Sequence, residues 1–270
     1  MIKISNINFS YSKKQNLFNN LSWEVEPGFI YGLLGKNGAG KTTLLKLIVG
    51  LLKPNSGSII VNGYTPFERS PIFLSNVVFI PEEFFVPSMK IHSFIKYFSP
   101  FYENFDNEKF YKYLNDFEID PNNNILVSSL SYGQKKKLLI SFAFASQVPL
   151  VIMDEPTNGL DIPSKTIFRK LCIDSLTDKK TLIISTHQVK DVERLLDKIT
   201  ILDNGKIISN DSVENISATY ECAFKEALPE TGVLYYEKTL FGYKVISQNI
   251  SGTQSVLDIE LYFNAMIKNS

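Results

Sequence analysis

Cysteine is scarce in this sequence: two residues, Cys172 and Cys222, stand far apart. That leaves no disulfide framework and no cysteine pair at metal-ligand spacing, and it fits free thiols in a reducing compartment. An excess of charge is missing as well, with 28 Lys+Arg against 28 Asp+Glu. Without a global basic field there is no general attraction for nucleic acid, and no nucleic-acid partner is expected. The one basic run, Lys135, Lys136 and Lys137, reads as a solvated helix face. Long apolar runs are also missing. The longest uncharged stretch, residues 138–153, is too short for a bilayer and carries Ser141, Ser146, Gln147 and Pro149. At the N-terminus, Met1-Ile2-Lys3-Ile4 passes directly into strand-like alternation, so no leader is read there. These absences point to a soluble, cytoplasmic chain that reaches a membrane only through another protein. With 270 residues, 44% of them hydrophobic, it is long enough to bury a sizeable core.

Apolar periodicity supplies the elements. Ile2 and Ile4, then Ile7 and Phe9, alternate with a break between the pairs, as in a half-buried strand with an irregularity. Strands are predicted over 29–34, 57–61, 77–80, 149–153 and 181–185, several of them near-continuous apolar runs of the kind covered on both faces. Asn62-Gly63 marks a tight turn, and Asp203-Asn204-Gly205 joins strands 199–202 and 206–208 into a hairpin. Helices are predicted over 41–51, 134–146 and 164–176. Between about 88 and 120, aromatic residues from Phe94 to Phe117 recur at helical spacing and suggest an inserted helical subdomain, closed by a loop over 120–124. Residues 211–270 lose the regularity, with short strands over 233–236 and 243–246 and a closing helix over 258–267. Strands alternating with helices imply an α/β fold: a mostly parallel sheet with helices on both faces and antiparallel strands at the N-terminus.

The chemistry starts at Gly35-Lys36-Asn37-Gly38-Ala39-Gly40-Lys41-Thr42, which fits G-x-x-x-x-G-K-[ST] between a strand and a helix. Glycines let the backbone turn so that N–H groups converge on phosphate oxygens. The following helix adds its positive end. Lys41 offers a charge to the β- and γ-phosphates, and the Thr42 hydroxyl is a Mg²⁺ ligand. Thr43 joins the nucleotide-contacting set. The cofactors expected are ATP and Mg²⁺, and the fold expected is that of a P-loop NTPase; the loop alone indicates a nucleotide and not a reaction.

A second constellation lies about a hundred residues on. Leu130-Ser131-Tyr132-Gly133-Gln134 precedes a helix; Leu150-Val151-Ile152-Met153 runs into Asp154-Glu155; Asn158-Gly159-Leu160-Asp161 follows; His187 comes after the next strand. A carboxylate at the end of a central strand faces the crevice where α/β folds bind ligands. From there Asp154 can hold the Mg²⁺ shell and Glu155 can take the proton of an attacking water. Over residues 2–208 the sequence resembles the nucleotide-binding subunits of ABC transporters, with the motifs in the family's order. Residues 35–42 are similar to Walker A and 150–154 to Walker B. Residues 130–134 resemble the LSGGQ signature, with Tyr132 for the first glycine. Asn158 to Asp161 resembles the D-loop, His187 the switch histidine, and Tyr11 the aromatic that stacks on adenine. His92 receives no role.

One departure stands out: the family usually has a glutamine after the strand at 77–80, where this chain has Pro81, Glu82 and Glu83. Glutamate at this place does occur in some export-type members, and the resemblance assigns Glu82 to the nucleotide and metal. It also implies that Lys41, Glu155 and His187 are catalytic. Two copies would close head to tail, one chain's loop facing the other's Ser131, Gly133 and Gln134, with Asp161 at the joint. The partners implied are a second ATP-binding subunit and a separate transmembrane permease, with the chain held on the inner face of the membrane. Residues 258–263 look like the C-terminus of export-type subunits. The expected division is an ATP-binding domain over 1–210, its helical subdomain about 84–146, and an accessory segment over 211–270. The rival reading is a soluble ABC-type ATPase of a non-transport assembly process.

Overall fold

The computed structural model describes residues 2–12, 16–121, 125–229, 231–250 and 256–269. At its centre is a six-stranded sheet in the order β5-β6-β7-β3-β8-β9. Its strands are β3 (Ile30–Leu34), β5 (Val77–Ile80), β6 (Leu150–Asp154), β7 (Thr181–Thr186), β8 (Lys198–Asp203) and β9 (Lys206–Ser212). All neighbours run parallel except β8 and β9, which form the hairpin. Every residue of β3, β6 and β7 is buried, because both faces of the sheet are covered.

Alternate side chains serve two cores. Tyr31, Leu33, Ile152 and Ile183 face one way. They pack under a sheet ordered β2-β1-β4, built from β1 (Ile2–Phe9), β2 (Phe18–Val25) and β4 (Ser56–Val61), and under helix α1 (Lys41–Ile48). Leu34, Val151, Met153 and Ile184 face the other core, which gathers the remaining long helices. After the short α2 (Pro71–Leu74), these are α3 (Ile91–Phe98), α4 (Asn107–Asp116), α5 (Tyr132–Ala145) and α6 (Ile162–Ser175). Phe142 of α5 is ringed by Phe94, Tyr102, Phe105 and Phe110 at centroid distances of 5.0–6.5 Å, so the aromatic stretch is a packed interior.

Beyond β9, α7 (Val213–Thr219) leads to a third sheet, β10-β12-β11, made of β10 (Tyr220–Lys225), β11 (Val233–Thr239) and β12 (Gly242–Gln248). Helix α8 (Ile259–Lys268) packs on β11 and β12 and reaches back to β8. Its Tyr262 hydroxyl meets Ser209 Oγ of β9 at 2.7 Å.

The differences from the sequence reading have local causes. Helix α1 ends at Ile48, because Gly50 N–H bonds to Leu47 O and Leu51 N–H to Lys46 O in a Schellman turn. Strand β2 escapes the pattern because Asn20, at φ 53°, breaks the alternation of Phe18, Leu21, Trp23 and Val25. Of the loop expected at 120–124, residues 122–124 lie outside the described residues. The break in β1 is real: its register shifts between Ile4 and Ile7.

Asp258 caps α8, accepting from Leu261 N–H at 3.0 Å, and pairs with Lys244 of β12 at 2.7 Å. Burial pushes its carboxyl up, but the Lys244 bond and the Leu261 N–H outweigh this and hold it below the ordinary value. A depressed carboxylate stabilises the fold fully above its unfolded value and loses that contribution as pH falls through the depressed one. Asp258→Ala is therefore expected to cost about 1 kcal/mol at neutral pH. The gap in melting temperature between parent and variant should close as the solution is acidified.

Candidate functional site

Because β7 lies between β6 and β3, the C-terminal ends of these three strands form one rim. The loop after β3 carries residues 35–40, β6 ends in Asp154, and β7 ends in Ser185 and Thr186. Helix α1 starts at Lys41 with Gly40 as its cap, at φ 106°, and no side chain caps it. A β-carbon on Gly40 would strike the Phe18 ring at 2.8 Å. The first-turn N–H groups of α1 thus have no side-chain acceptor, which makes this end an anion site. Lys41 folds over the loop, donating to Gly35 O at 2.7 Å and Lys36 O at 3.3 Å. Burial lowers its ammonium pKa; the carboxylates Glu155, Asp154 and Glu82 oppose that shift.

Asp154 is buried and held from two strands. Its Oδ2 accepts from Thr42 Oγ1 at 2.5 Å, and its Oδ1 accepts a short bond from Ser185 Oγ. Glu155 takes a left-handed backbone, φ 47°, which turns its side chain back over the rim. Its Oε2 accepts from Thr186 Oγ1 at 2.9 Å and its Oε1 from His187 N–H at 2.9 Å, with His187 Nδ1 at 2.6 Å from the same oxygen. Thr42 and Asp154 supply two hard oxygens side by side. No group of three or more His, Cys, Asp or Glu among the described residues has metal-binding geometry. A cation here would take one hydroxyl, one carboxylate and oxygens of a bound phosphate, the donor set Mg²⁺ favours.

These groups open into a cleft of about 530 Å³. Lys36, Asn37, Gly38, Gly40, Lys41, Thr42 and Thr43 form its floor, and Glu82, Asp154, Glu155 and His187 form one wall. Tyr11 stands at the mouth, 66% exposed, its hydroxyl 3.0 Å from Thr43 Oγ1. Ala39 turns into the core beneath the loop. Glu82 reaches across to Asn158, whose Nδ2 donates to its Oε1 at 3.1 Å.

Four of the sequence-predicted residues lie elsewhere. Ser131 and Gln134 form a reciprocal capping box on α5, with bonds of 3.2 and 3.0 Å. Gly133 lies against the turn after β6, where an added β-carbon would meet Gly159 O at 2.6 Å. Asp161 caps α6 through Ser164 N–H. None of the four lines the cleft of its own chain.

The structure corrects one reading. Lys136 is not on a solvated face: it is fully buried, and its Nζ donates to Glu155 O at 3.2 Å. Burial brings its pKa down to about 8 despite the carboxylates of Glu82, Asp154 and Glu155. Ser185 and Thr186 were also missed. Their signal is a pair of hydroxyls ending an otherwise apolar strand, beside a strand that ends in acids.

Residues 18–158 match the family described as ABC transporter. An uncharacterized ABC transporter ATP-binding protein, YdbJ of Bacillus subtilis, is 31% identical over 94% of this chain and 82% of its own length. The Nod factor export ATP-binding protein I of Rhizobium etli is 30% identical over 77% of this chain and 67% of its own. A solved structure titled as the ATP binding subunit of an ABC transporter superposes with a TM-score of 0.72 and 25% identity, covering 80% of this chain and 91% of that one. With the loop, the paired carboxylates and the sheet order in place, the chain belongs to the ABC transporter family, as one of its ATP-binding ATPases.

Proposed function

We propose that this chain is the motor subunit of an exporter, working as a pair of copies that close head to tail over two ATP molecules and drive a separate permease. The observation that carries the reading is the split of the site. The phosphate loop, Asp154, Glu155 and His187 share one cleft, while Ser131, Gly133 and Gln134 stand outside it. A second copy can bring them to the γ-phosphate, with Asp161 at the joint. The export relative supports the direction.

In this reading, Tyr11 stacks on the base, and Lys36, Asn37, Gly38 and Gly40 turn their N–H groups to the phosphates. Lys41 leaves the carbonyls of Gly35 and Lys36 for the β- and γ-phosphates. Thr42 and Asp154 would hold Mg²⁺, with Glu82 near it, and the ion would supply charge neutralisation for the phosphates. Glu155 accepts the proton of the attacking water, and His187, bonded to Glu155, steadies the γ-phosphoryl group as it passes from ADP to the water. Residues 1–210 form the motor, with its helical part at about 84–146, and residues 211–270 an accessory segment.

No helix among the described residues is long and apolar enough to cross a membrane. An apolar groove of about 960 Å³ lies between α2, the end of β5 and the turn after α3, with Ile72 and Phe101 largely exposed in it. It fits a short amphipathic helix from the permease.

Three outcomes test this. Glu155→Gln should keep ATP binding and lose about 10²–10⁴-fold in turnover, whereas Lys41→Ala should lose tight binding; phosphate release and nucleotide titration read both. Light scattering of Glu155→Gln with ATP should show a dimer that the nucleotide-free protein does not form. An Ile72→Asp, Phe101→Asp variant should leave the membrane fraction of cells co-expressing a multi-span partner while still binding ATP. Copurification of the parent with soluble proteins alone would replace the exporter with the assembly ATPase.

A further inference from the structure

Lys136 has no part in the mechanism above, yet its surroundings are unusually specific for a lysine on a helix. It is 0% exposed. Its ammonium lies 5.3 Å from the centre of the Phe84 ring and 5.6 Å from that of Tyr132. Those rings stack on one another at 5.4 Å with 20° between their planes, so the ammonium lies beside an aromatic pair, a favourable place for a desolvated cation. One ring comes from α5 itself; the other comes from the 82–85 loop. The Tyr132 hydroxyl ties the two together by donating to Glu82 O at 2.9 Å.

The hydrogen bond that Lys136 makes goes to the carbonyl of Glu155. That carbonyl belongs to a non-glycine residue with φ 47°, a conformation that persists only where its surroundings hold it. Two groups hold this carbonyl: Asn158 N–H at 3.3 Å, from the turn itself, and Lys136 Nζ at 3.2 Å, from a different element. If the turn left the left-handed region, the Glu155 side chain would be re-aimed away from Thr186 and His187.

We infer that Lys136 is a positioning residue for Glu155: clamped beside Phe84 and Tyr132, it fixes the left-handed turn that aims the carboxylate, and it does so only while the 82–85 loop is seated on α5. This rests on the assignment of Glu155 as the base. Its consequence is a route within one chain from the loop to the base. Phe85 next to Phe84 is 92% exposed. A partner that draws on Phe85 would lift Phe84, open the ammonium to water, and weaken its hold on the carbonyl. The substitution of Tyr132 for a signature glycine gives this chain the ring that closes the inner side.

The test uses the full chain and reads ATP turnover, ATP affinity and melting temperature together. Lys136→Met keeps most of the unbranched stem and removes the donor. It should lower kcat about tenfold or more with KM for ATP nearly unchanged, and with little change in melting temperature, since the relieved desolvation of the ammonium offsets its lost contacts. Lys136→Gln restores a donor one bond shorter and should recover part of kcat. Phe84→Leu should lower kcat in the same direction by less. A parent-like kcat in Lys136→Met overturns the proposal. So does an equal loss in the Met and Gln variants with affinity and melting temperature falling alongside, which is what packing alone would give. If the Met variant does not fold, parent-like turnover in folded Lys136→Gln and Phe84→Leu overturns it too. Glu155→Gln is run in parallel: if that variant still turns over, the base assignment has failed, whatever Lys136 does.

Discussion

Two carboxylates sit almost wholly buried at the end of a strand, and the groups around them supply the hydrogen bonds that bulk water would otherwise give. Asp154 and Glu155 are 1% and 4% exposed. A buried carboxylate without hydrogen bonds is so costly that it would take up a proton instead. Here every carboxylate oxygen has a donor, and the donors come from other elements: Thr42 from α1, Ser185 and Thr186 from β7, and His187 just beyond it. The sheet order brings this about. With β7 between β6 and β3, hydroxyls on the middle strand reach the acids on one side while α1, which follows the loop of β3, supplies Thr42 on the other. The same constraint accounts for Lys41, whose ammonium rests on the Gly35 and Lys36 carbonyls beside these charges.

Much of the architecture was legible because it is written in runs and periods. Buried strands such as Val77–Ile80 and Leu150–Asp154 are continuous apolar stretches, and the phosphate loop has a fixed spacing between strand and helix. What escaped was decided by backbone geometry or by distant neighbours. Asn20 breaks the alternation of β2 by a left-handed kink that polar composition alone does not announce. Lys136 looked solvated because it stands between two other lysines. Its burial depends on Phe84, fifty residues earlier in the chain and brought alongside by the packing of the 82–85 loop. Ser185 and Thr186 look like an ordinary strand end until the acids of the neighbouring strand are placed beside them.

The helical part and the sheet part meet along a seam of unequal strength. Below it, Phe142 and its ring of aromatics form a continuous interior. Near the phosphate loop, the packed Phe84 and Tyr132 rings are joined by polar bonds: Tyr132 to the Glu82 carbonyl, Asn158 to the Glu82 carboxylate, and Gln188 to Asn158 at 3.2 Å. Polar bonds at the surface exchange readily with water, whereas packed rings do not. These polar bonds are therefore the first that local opening would break.

The third sheet bears on solubility. Its order leaves both β10 and β11 at open edges, and exposed edges invite pairing with another chain. The protein as a whole cannot rely on mutual repulsion, because its net charge is zero. Protection therefore has to be local. β11 carries a register shift between Val233 and Tyr235 and then Glu237 and Lys238, and β10 carries Glu221 and Lys225. An incoming strand would meet an irregular, charged border. Neutralising these few side chains would turn a segment with no part in ATP chemistry into the place where the protein begins to aggregate.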